Sequence, residues 1–299
     1  MRSIEISLNK LRTLTAINLD DLVSSFGWEN RPVLAQILRI TFAGAARKFA
    51  YQMQEFDNLV ADVGLAQAGR RTIRRYVRSV RIFSAPLPAT PILALSNHPG
   101  MVDTLALFAA LNRPDLKIIA IDRPFLKALP NTSQQLFYVT EDPAERMALV
   151  RQVSAHLRSG GAALTFPAGQ IEPDANVYPG AIESLQGWTD SVGVFVRMAP
   201  ETAILPVLVR GVIWEKTANH LLTRLKRTKE EREKLAAALQ LLAHVVLEKN
   251  PLDVTVQIGR PITVAALGSK ATDVIHRAVL GEMKRLIENP PEGEGVSLL

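Results

Sequence analysis

The chain has 299 residues, of which 47% are hydrophobic and 21% are charged, a composition typical of a folded globular protein. It contains no cysteine, which excludes disulfide bonds, thiolate metal sites and cysteine nucleophiles. The formal net charge is +6, and the whole excess lies in the first 82 residues, which hold 13 of the 35 Lys/Arg and 7 of the 29 Asp/Glu residues.

The amino-terminal sequence has no continuous apolar segment of the kind found in a secretory signal. No stretch reaches the roughly 18 uninterrupted apolar residues of a membrane span. We therefore expect a cytoplasmic protein that does not cross a bilayer.

Residues 1–82 are predicted to form a helical segment, in which Pro32 suits the first turn of a helix. Near its end, arginines recur at three- and four-residue steps and alternate with apolar side chains. This spacing predicts an amphipathic helix whose basic face contacts an anionic membrane surface. The alternative is a solvated face, and no recognition motif supports nucleic-acid binding. The arginines are Arg70, Arg71, Arg74, Arg75, Arg78 and Arg81.

The proline-rich stretch 84–91 separates this segment from a second region, residues 83–299, in which short apolar runs alternate with helical patterns. The pattern predicts an α/β fold with a mostly central β-sheet flanked by helices and preceded by the amino-terminal helical segment. Asp142 and Thr228 are predicted helix caps. The linker-like composition of residues 289–299 predicts disorder. The apolar runs are 92–96, 117–121, 162–166, 204–209 and 253–258.

A histidine and an aspartate lie five positions apart in the stretch LALSNHPGMVDTLAL, residues 93–107. His98 follows a predicted strand, and histidine is well suited to act as a general base near neutral pH. Asp103 could orient the imidazole by accepting a hydrogen bond from its other ring nitrogen. The helix that begins here would offer free N–H groups to a developing oxyanion.

A polar turn that contains a histidine by chance is the alternative interpretation of the pair. Two side chains are too few to hold a metal ion, so no metal site is predicted.

Three further blocks follow NHPGMVD (97–103): IIAIDRPFLKALP (118–130), LTFPAGQIEP (164–173) and AILPVLVRG (203–211). Their order and spacing over residues 90–215 resemble the glycerolipid acyltransferase superfamily, the PlsC-type enzymes of phospholipid synthesis. The first block of that family is H-x4-D, and the third usually has the form F-P-E-G-T-R-S. The chain is identified by this resemblance as a candidate acyltransferase.

The resemblance implies that His98 deprotonates an acceptor hydroxyl, which attacks the thioester of an acyl-CoA or an acyl-carrier protein. Asp103 would orient His98, and Arg123 would bind an anionic headgroup such as a phosphate. No cofactor is implied beyond the thioester co-substrate. The other substrate-binding residues that the resemblance implies are Asn97, Gly100, Lys127, Phe166, Pro167, Gly169 and Glu172.

The third block departs from the usual form, because Ala168 replaces the glutamate and Ile171 replaces the arginine. Our first choice of acceptor is a hydroxyl of a lysophospholipid or glycerol phosphate. The alternatives are an N-acyltransferase of the ornithine-lipid or hemolysin-like type, in which Glu172 could contact a cationic acceptor, and a non-catalytic lipid-binding protein. A solvated Glu172 is the simpler interpretation of that residue. The expected location is the inner face of the cell membrane, with the protein bound peripherally.

Overall fold

A mixed β-sheet forms the centre of the computed structural model, which describes residues 2–248 and 251–299. Within these residues the sheet has eight strands in the order β4, β3, β5, β2, β6, β7, β1, β8. The five strands from β4 to β6 are parallel, β7 is antiparallel to β6, β1 is parallel to β7, and β8 is antiparallel to β1. The strands are β1 (Val77–Phe83), β2 (Ile92–Ser96), β3 (Leu116–Ile121), β4 (Leu136–Val139), β5 (Ala162–Thr165), β6 (Ala203–Arg210), β7 (Leu252–Ile258) and β8 (Val296–Ser297).

Two long helices precede the sheet, and shorter helices follow or connect its strands. The helices are α1 (Arg2–Phe26), α2 (Pro32–Ile73), α3 (Met101–Leu111), α4 (Pro124–Lys127), α5 (Pro130–Ser133), α6 (Pro143–Arg158), α7 (Ala181–Ser184), α8 (Ser191–Met198), α9 (Glu215–Ala218), α10 (Leu221–Arg224), α11 (Lys229–Leu247), α12 (Val264–Leu267) and α13 (Thr272–Glu288). A 3₁₀ turn, Leu185–Gly187, follows α7. In the described residues, no helix combines the length and the apolar character needed to cross a membrane.

The sheet lies between two layers of helices. Side chains of β2 alternate between the layers: Ile92 and Ala94 join the core beneath α2 and α3, while Leu93 and Leu95 join the core beneath α6, α8 and α13. A strand buried on both faces is typical of a parallel sheet with helical crossovers. The α/β fold with amino-terminal helices is therefore confirmed, and the five predicted strands are β2, β3, β5, β6 and β7.

The predicted helix starts at Asp142 and Thr228 are also confirmed. Asp142 accepts hydrogen bonds from the N–H groups of Ala144 (2.6 Å) and Glu145 (3.3 Å). Thr228 and Glu231 exchange two hydrogen bonds between side chain and main chain, forming a capping box at the start of α11.

The prediction of one amphipathic helix over residues 70–81 is wrong. α2 ends at Ile73, a turn follows, and the chain continues as β1 from Val77. The three- and four-residue spacing of the arginines is helical, but Val77 and Val80, which lie between them, pair with β7. Two of the arginines form ion pairs, Arg75 with Glu55 (2.5 Å) and Arg78 with Asp253.

The carboxyl-terminal tail is ordered, so the prediction of disorder there is wrong as well. β8 pairs with β1, and the N–H of Leu298 donates to the carbonyl of Val80 at 3.0 Å. Arg70 donates from Nε to the carbonyl of Leu298 at 2.8 Å. These main-chain contacts replace the hydrophobic pattern that the tail lacks. β1 crosses the predicted boundary between residues 82 and 83 and belongs to the same sheet as the later strands.

Candidate active site

Four neighbouring parallel strands end at the same edge of the sheet, and each leads into a loop that carries a residue of the candidate site. Because β2, β3, β5 and β6 are parallel, their carboxyl ends meet there. The loops that follow these strands carry His98 after β2, Arg123 after β3, Phe166 after β5 and Gly211 after β6.

Asn97 fixes the point at which the chain leaves the sheet. Its side-chain amide donates to the carbonyl of Val209 and accepts from the N–H of Val209, both at 2.8 Å. The side chain thus continues the pairing of β2 with β6 after the main chain has turned away. Asn97 is buried, with both polar atoms engaged, and this placement does not support a contact with substrate.

The structure brings His98 and Asp103 together across the turn of Pro99 and Gly100. His98 Nδ1 lies 3.0 Å from Asp103 Oδ2 and 3.2 Å from Oδ1. Asp103 is fully buried in the first turn of α3, where it also accepts from Gly100 N–H (3.0 Å) and Thr104 Oγ1 (2.9 Å). The His98 side chain is 28% exposed, so Nε2 is the ring nitrogen available to a substrate.

The pKa of His98 lies above its ordinary value. Burial by itself lowers the pKa of this imidazole, but the charge and hydrogen bond of Asp103 and the charge of Glu172 together outweigh burial. Arg123 opposes them and lowers the pKa. The site therefore stabilises the imidazolium form, which a general base must pass through.

The loop after β5 packs against His98. The ring of Phe166 is tilted over the imidazole, with 4.6 Å between the ring centroids. Pro167 is buried, and its carbonyl accepts from Thr189 N–H at 3.2 Å. Gly169 is exposed and adopts a left-handed conformation, with φ of 63°. Phe166 and Gly169 thus lie at the edge where a substrate could approach.

Glu172 is buried, with 3% of its surface exposed, so the prediction of a solvated side chain is wrong. Its Oε2 accepts from His98 N–H at 3.2 Å, and its Oε1 accepts from Trp188 Nε1 at 2.7 Å and from Ser184 Oγ at 3.3 Å. Desolvation raises the pKa of Glu172 to about 7, although the hydrogen bonds from Trp188, His98 and Ser184 act in the opposite direction.

Asp174 is a second buried carboxylate, and it holds the loop after β6. It accepts from the N–H groups of Gly211 (3.0 Å), Val212 (2.7 Å) and Ile213 (3.0 Å), and it is fully buried. Gly211 has φ of 77°, and a Cβ there would collide with the carbonyl of Asp253, so only glycine fits. Sequence reasoning missed Asp174, because a single aspartate in a loop gives no local signal.

Arg123 and Lys127, the two basic residues predicted to bind substrate, differ in their surroundings. Arg123 is exposed at the start of α4 and close enough to His98 to affect its pKa. Lys127 is exposed and forms an ion pair with Asp122 at 2.7 Å. Arg123 is therefore the better placed of the two to attract an anionic group. Among the described residues, no cluster of three or more His, Asp or Glu side chains could hold a metal ion.

Comparisons with known proteins identify no close relative. A scan against protein-family models gives no match, and a search of curated proteins gives none either. Among solved structures, the chain is similar to the 1-acyl-sn-glycerophosphate (LPA) acyltransferase PlsC from Thermotoga maritima. The identity is 16%, the TM-score is 0.45, and the alignment covers 96% of this chain and 98% of that one.

We expect Glu172→Gln to change the pH dependence of stability. The folded protein binds a proton at Glu172 up to about pH 7, whereas the ordinary value of the group is 4.5, so the wild-type free energy of unfolding falls as pH rises through this range. Glutamine stays neutral. Relative to wild type, the free energy of unfolding of the variant should therefore increase by about 3 kcal/mol between about pH 4 and about pH 8.

Urea denaturation at the two pH values measures this difference. Glu183→Gln, at an exposed glutamate nearby, is the control and should differ from wild type by the same amount at both. A pH-independent difference for Glu172→Gln would contradict the burial of an ionisable carboxylate at this position.

Proposed function

We propose that the chain is an acyltransferase that moves a fatty acyl group from acyl-CoA or acyl-carrier protein to a hydroxyl of a lysophospholipid or glycerol phosphate. The observation that carries the proposal is the 3.0 Å contact between His98 Nδ1 and the buried Asp103, at the carboxyl edge of a parallel sheet. The resemblance of residues 90–215 to the four blocks of the glycerolipid acyltransferases supports it.

The proposed reaction begins with proton transfer from the acceptor hydroxyl to His98 Nε2. The hydroxyl oxygen attacks the thioester carbonyl carbon and forms a tetrahedral intermediate, whose carbonyl oxygen carries the negative charge. The C–S bond then breaks, and the leaving thiolate takes the proton from Nε2, giving an ester and a free thiol. Asp103 holds the Nδ1 proton throughout and stabilises the imidazolium.

The amino terminus of α3 supports the charge that develops on the carbonyl oxygen. α3 spans Met101–Leu111 and begins three residues after His98. The N–H groups of its first turn lack intrahelical acceptors, and the helix dipole favours negative charge at this end. A preorganised donor of this kind lowers the energy of the oxyanion without reorganisation during the reaction.

We expect His98→Ala to lower kcat by about 100- to 10,000-fold, because the variant lacks the general base. In Asp103→Asn the acid limb of the pH–rate profile should move to lower pH, since Asp103 raises the pKa of His98. Thiol release from acyl-CoA measures both effects, and the chain itself contributes no background because it has no cysteine. His276→Ala, on α13, is the control histidine variant and should keep wild-type rates.

Three results would separate the candidate functions. Unchanged thiol release in His98→Ala would contradict the proposed base. Turnover with amine acceptors alone would favour the N-acyltransferase that the altered third block suggests. Absence of turnover with every donor and acceptor, together with lipid binding, would favour a lipid-binding protein.

The acceptor's anionic group is proposed to bind Arg123. We expect Arg123→Gln to raise KM for a phosphate-bearing acceptor by about 10- to 100-fold, because a hydrogen bond to a charged group contributes about 1.5–3 kcal/mol. Lys127→Gln is the matched control and should have a smaller effect, since Asp122 already neutralises that cation. Equal effects of the two variants on KM would contradict the assignment to Arg123.

We also propose that the protein binds peripherally to the anionic inner face of the cell membrane. Large apolar side chains are exposed along one side of α2, on α10 and at the residue that follows α10, and we call them the apolar end. Lys226 donates from Nζ to the carbonyl of Phe26 at 2.8 Å, which brings the end of α10 to the turn between α1 and α2. The members of the apolar end are Val33, Ile37, Ile40, Leu221 and Leu225, which are 54–78% exposed.

Cosedimentation with phosphatidylglycerol vesicles tests this location. We expect the double variant Ile37→Asp, Leu225→Asp to lose most of its vesicle binding, because each aspartate adds charge where apolar surface would enter the interface. Met147→Asp, at an exposed methionine on α6, is the control. Loss of binding only in Arg71→Gln, Arg74→Gln would instead favour contact through the arginines of residues 70–81. Unchanged binding in all variants would contradict both surfaces.

A further inference from the structure

Glu172 forms hydrogen bonds with both the N–H group and the carbonyl group of His98. The carboxylate Oε2 accepts from His98 N–H at 3.2 Å, and the N–H of Glu172 donates to the carbonyl of His98 at 2.9 Å. These two bonds resemble a pair of hydrogen bonds between adjacent β-strands, although both residues lie in loops. The position of His98 relative to the sheet therefore depends on Glu172 as well as on Asn97.

The other oxygen of Glu172 is tied to the protein core. Oε1 accepts from Trp188 Nε1 at 2.7 Å, and Trp188 packs in the core beneath α6, α8 and α13. Because the carboxylate is anchored on this side, it does not follow a movement of His98 but restrains it. Ala168 packs against the same core, at the position where the third block of the acyltransferase family usually has glutamate. In this chain the buried carboxylate of the loop is Glu172, four residues later.

Among the residues that the structure describes, three ionisable groups from different elements act electrostatically on the imidazole. Asp103 comes from α3, Glu172 from the loop after β5 and Arg123 from the start of α4. Asp103 favours the imidazolium, Glu172 does so where it is ionised, above about pH 7, and Arg123 opposes it. Where Glu172 is ionised, removing its charge therefore disfavours the protonated ring, although its hydrogen bonds go to the main chain of His98.

We propose that Glu172 is a positioning residue that holds the main chain of His98 and stabilises its protonated ring, without touching substrate. The inference rests on the proposed role of His98 as general base. Glu172 acts twice, through a hydrogen bond that sets where Nε2 lies and through a charge that sets how readily Nε2 takes the acceptor's proton.

The test compares Glu172→Gln with wild type in the full-length protein by two measurements. NMR titration of ¹³C-histidine-labelled protein follows the His98 ring, which is assigned as the signal missing from His98→Ala. Thiol release from acyl-CoA gives kcat and KM. We expect the pKa of His98 to fall, the acid limb of kcat to move to lower pH, and kcat to drop about 10- to 100-fold with KM for acyl-CoA nearly unchanged. Glu183→Gln should change none of these.

Glu172→Asp separates charge from position and serves if the glutamine variant does not fold. Aspartate keeps the charge but is one methylene shorter, so it withdraws the oxygen from His98 N–H. We expect the pKa of His98 to stay raised while kcat falls.

An unchanged His98 pKa and unchanged kcat in the Glu172 variants would overturn the positioning role while leaving the acyl-transfer proposal intact. If Glu172→Gln lowers the pKa of His98 but the wild-type protein releases no thiol, the coupling of Glu172 to His98 is retained and the proposed reaction is rejected.

Discussion

The side-chain amide of Asn97 is the contact on which the candidate site depends. It takes the place of a peptide unit in the pairing of β2 with β6, which lets the main chain leave the sheet at His98 without leaving Val209 unpaired. The turn that follows returns Asp103 to His98 in the first turn of α3. A shift of one residue at Asn97 would move His98 away from both carboxylates, because side chains on a strand alternate between faces.

Buried carboxylates hold the loops around this turn. Asp103, Glu172 and Asp174 are each at most 3% exposed, and each accepts hydrogen bonds from main-chain N–H groups. Burying a charged group without partners is costly, so these loops keep the one arrangement that supplies the donors. The result is a rigid edge of irregular structure, in which a reacting group can be fixed as firmly as on a helix or a strand.

Strands buried on both faces could be predicted, because their apolar runs are continuous and end at glycine, proline or polar residues. β1 could not, since its arginines recur at helical spacing and its partner β7 lies about 175 residues later. The spacing of His98 and Asp103 is local and could be read from the sequence. Glu172 bonds to His98, 74 positions away, and Asp174 bonds to the loop after β6, 37–39 positions away, and no sequence pattern marks such long-range pairs.

The pairing of β1 with β7 and β8 limits the order in which parts of the sheet can form. Val77 pairs with Leu252 and Arg81 pairs with Ser297, so this edge of the sheet forms only after residues 252–297 have been synthesised. Such distant pairings are slow to form, because a long loop has to close before they contribute. Until then, the apolar side of β1 and the end of α2 lack their final neighbours. Loss of residues 296–299 would remove the pairing of β8 with β1 and the hydrogen bond between Arg70 on α2 and the carbonyl of Leu298.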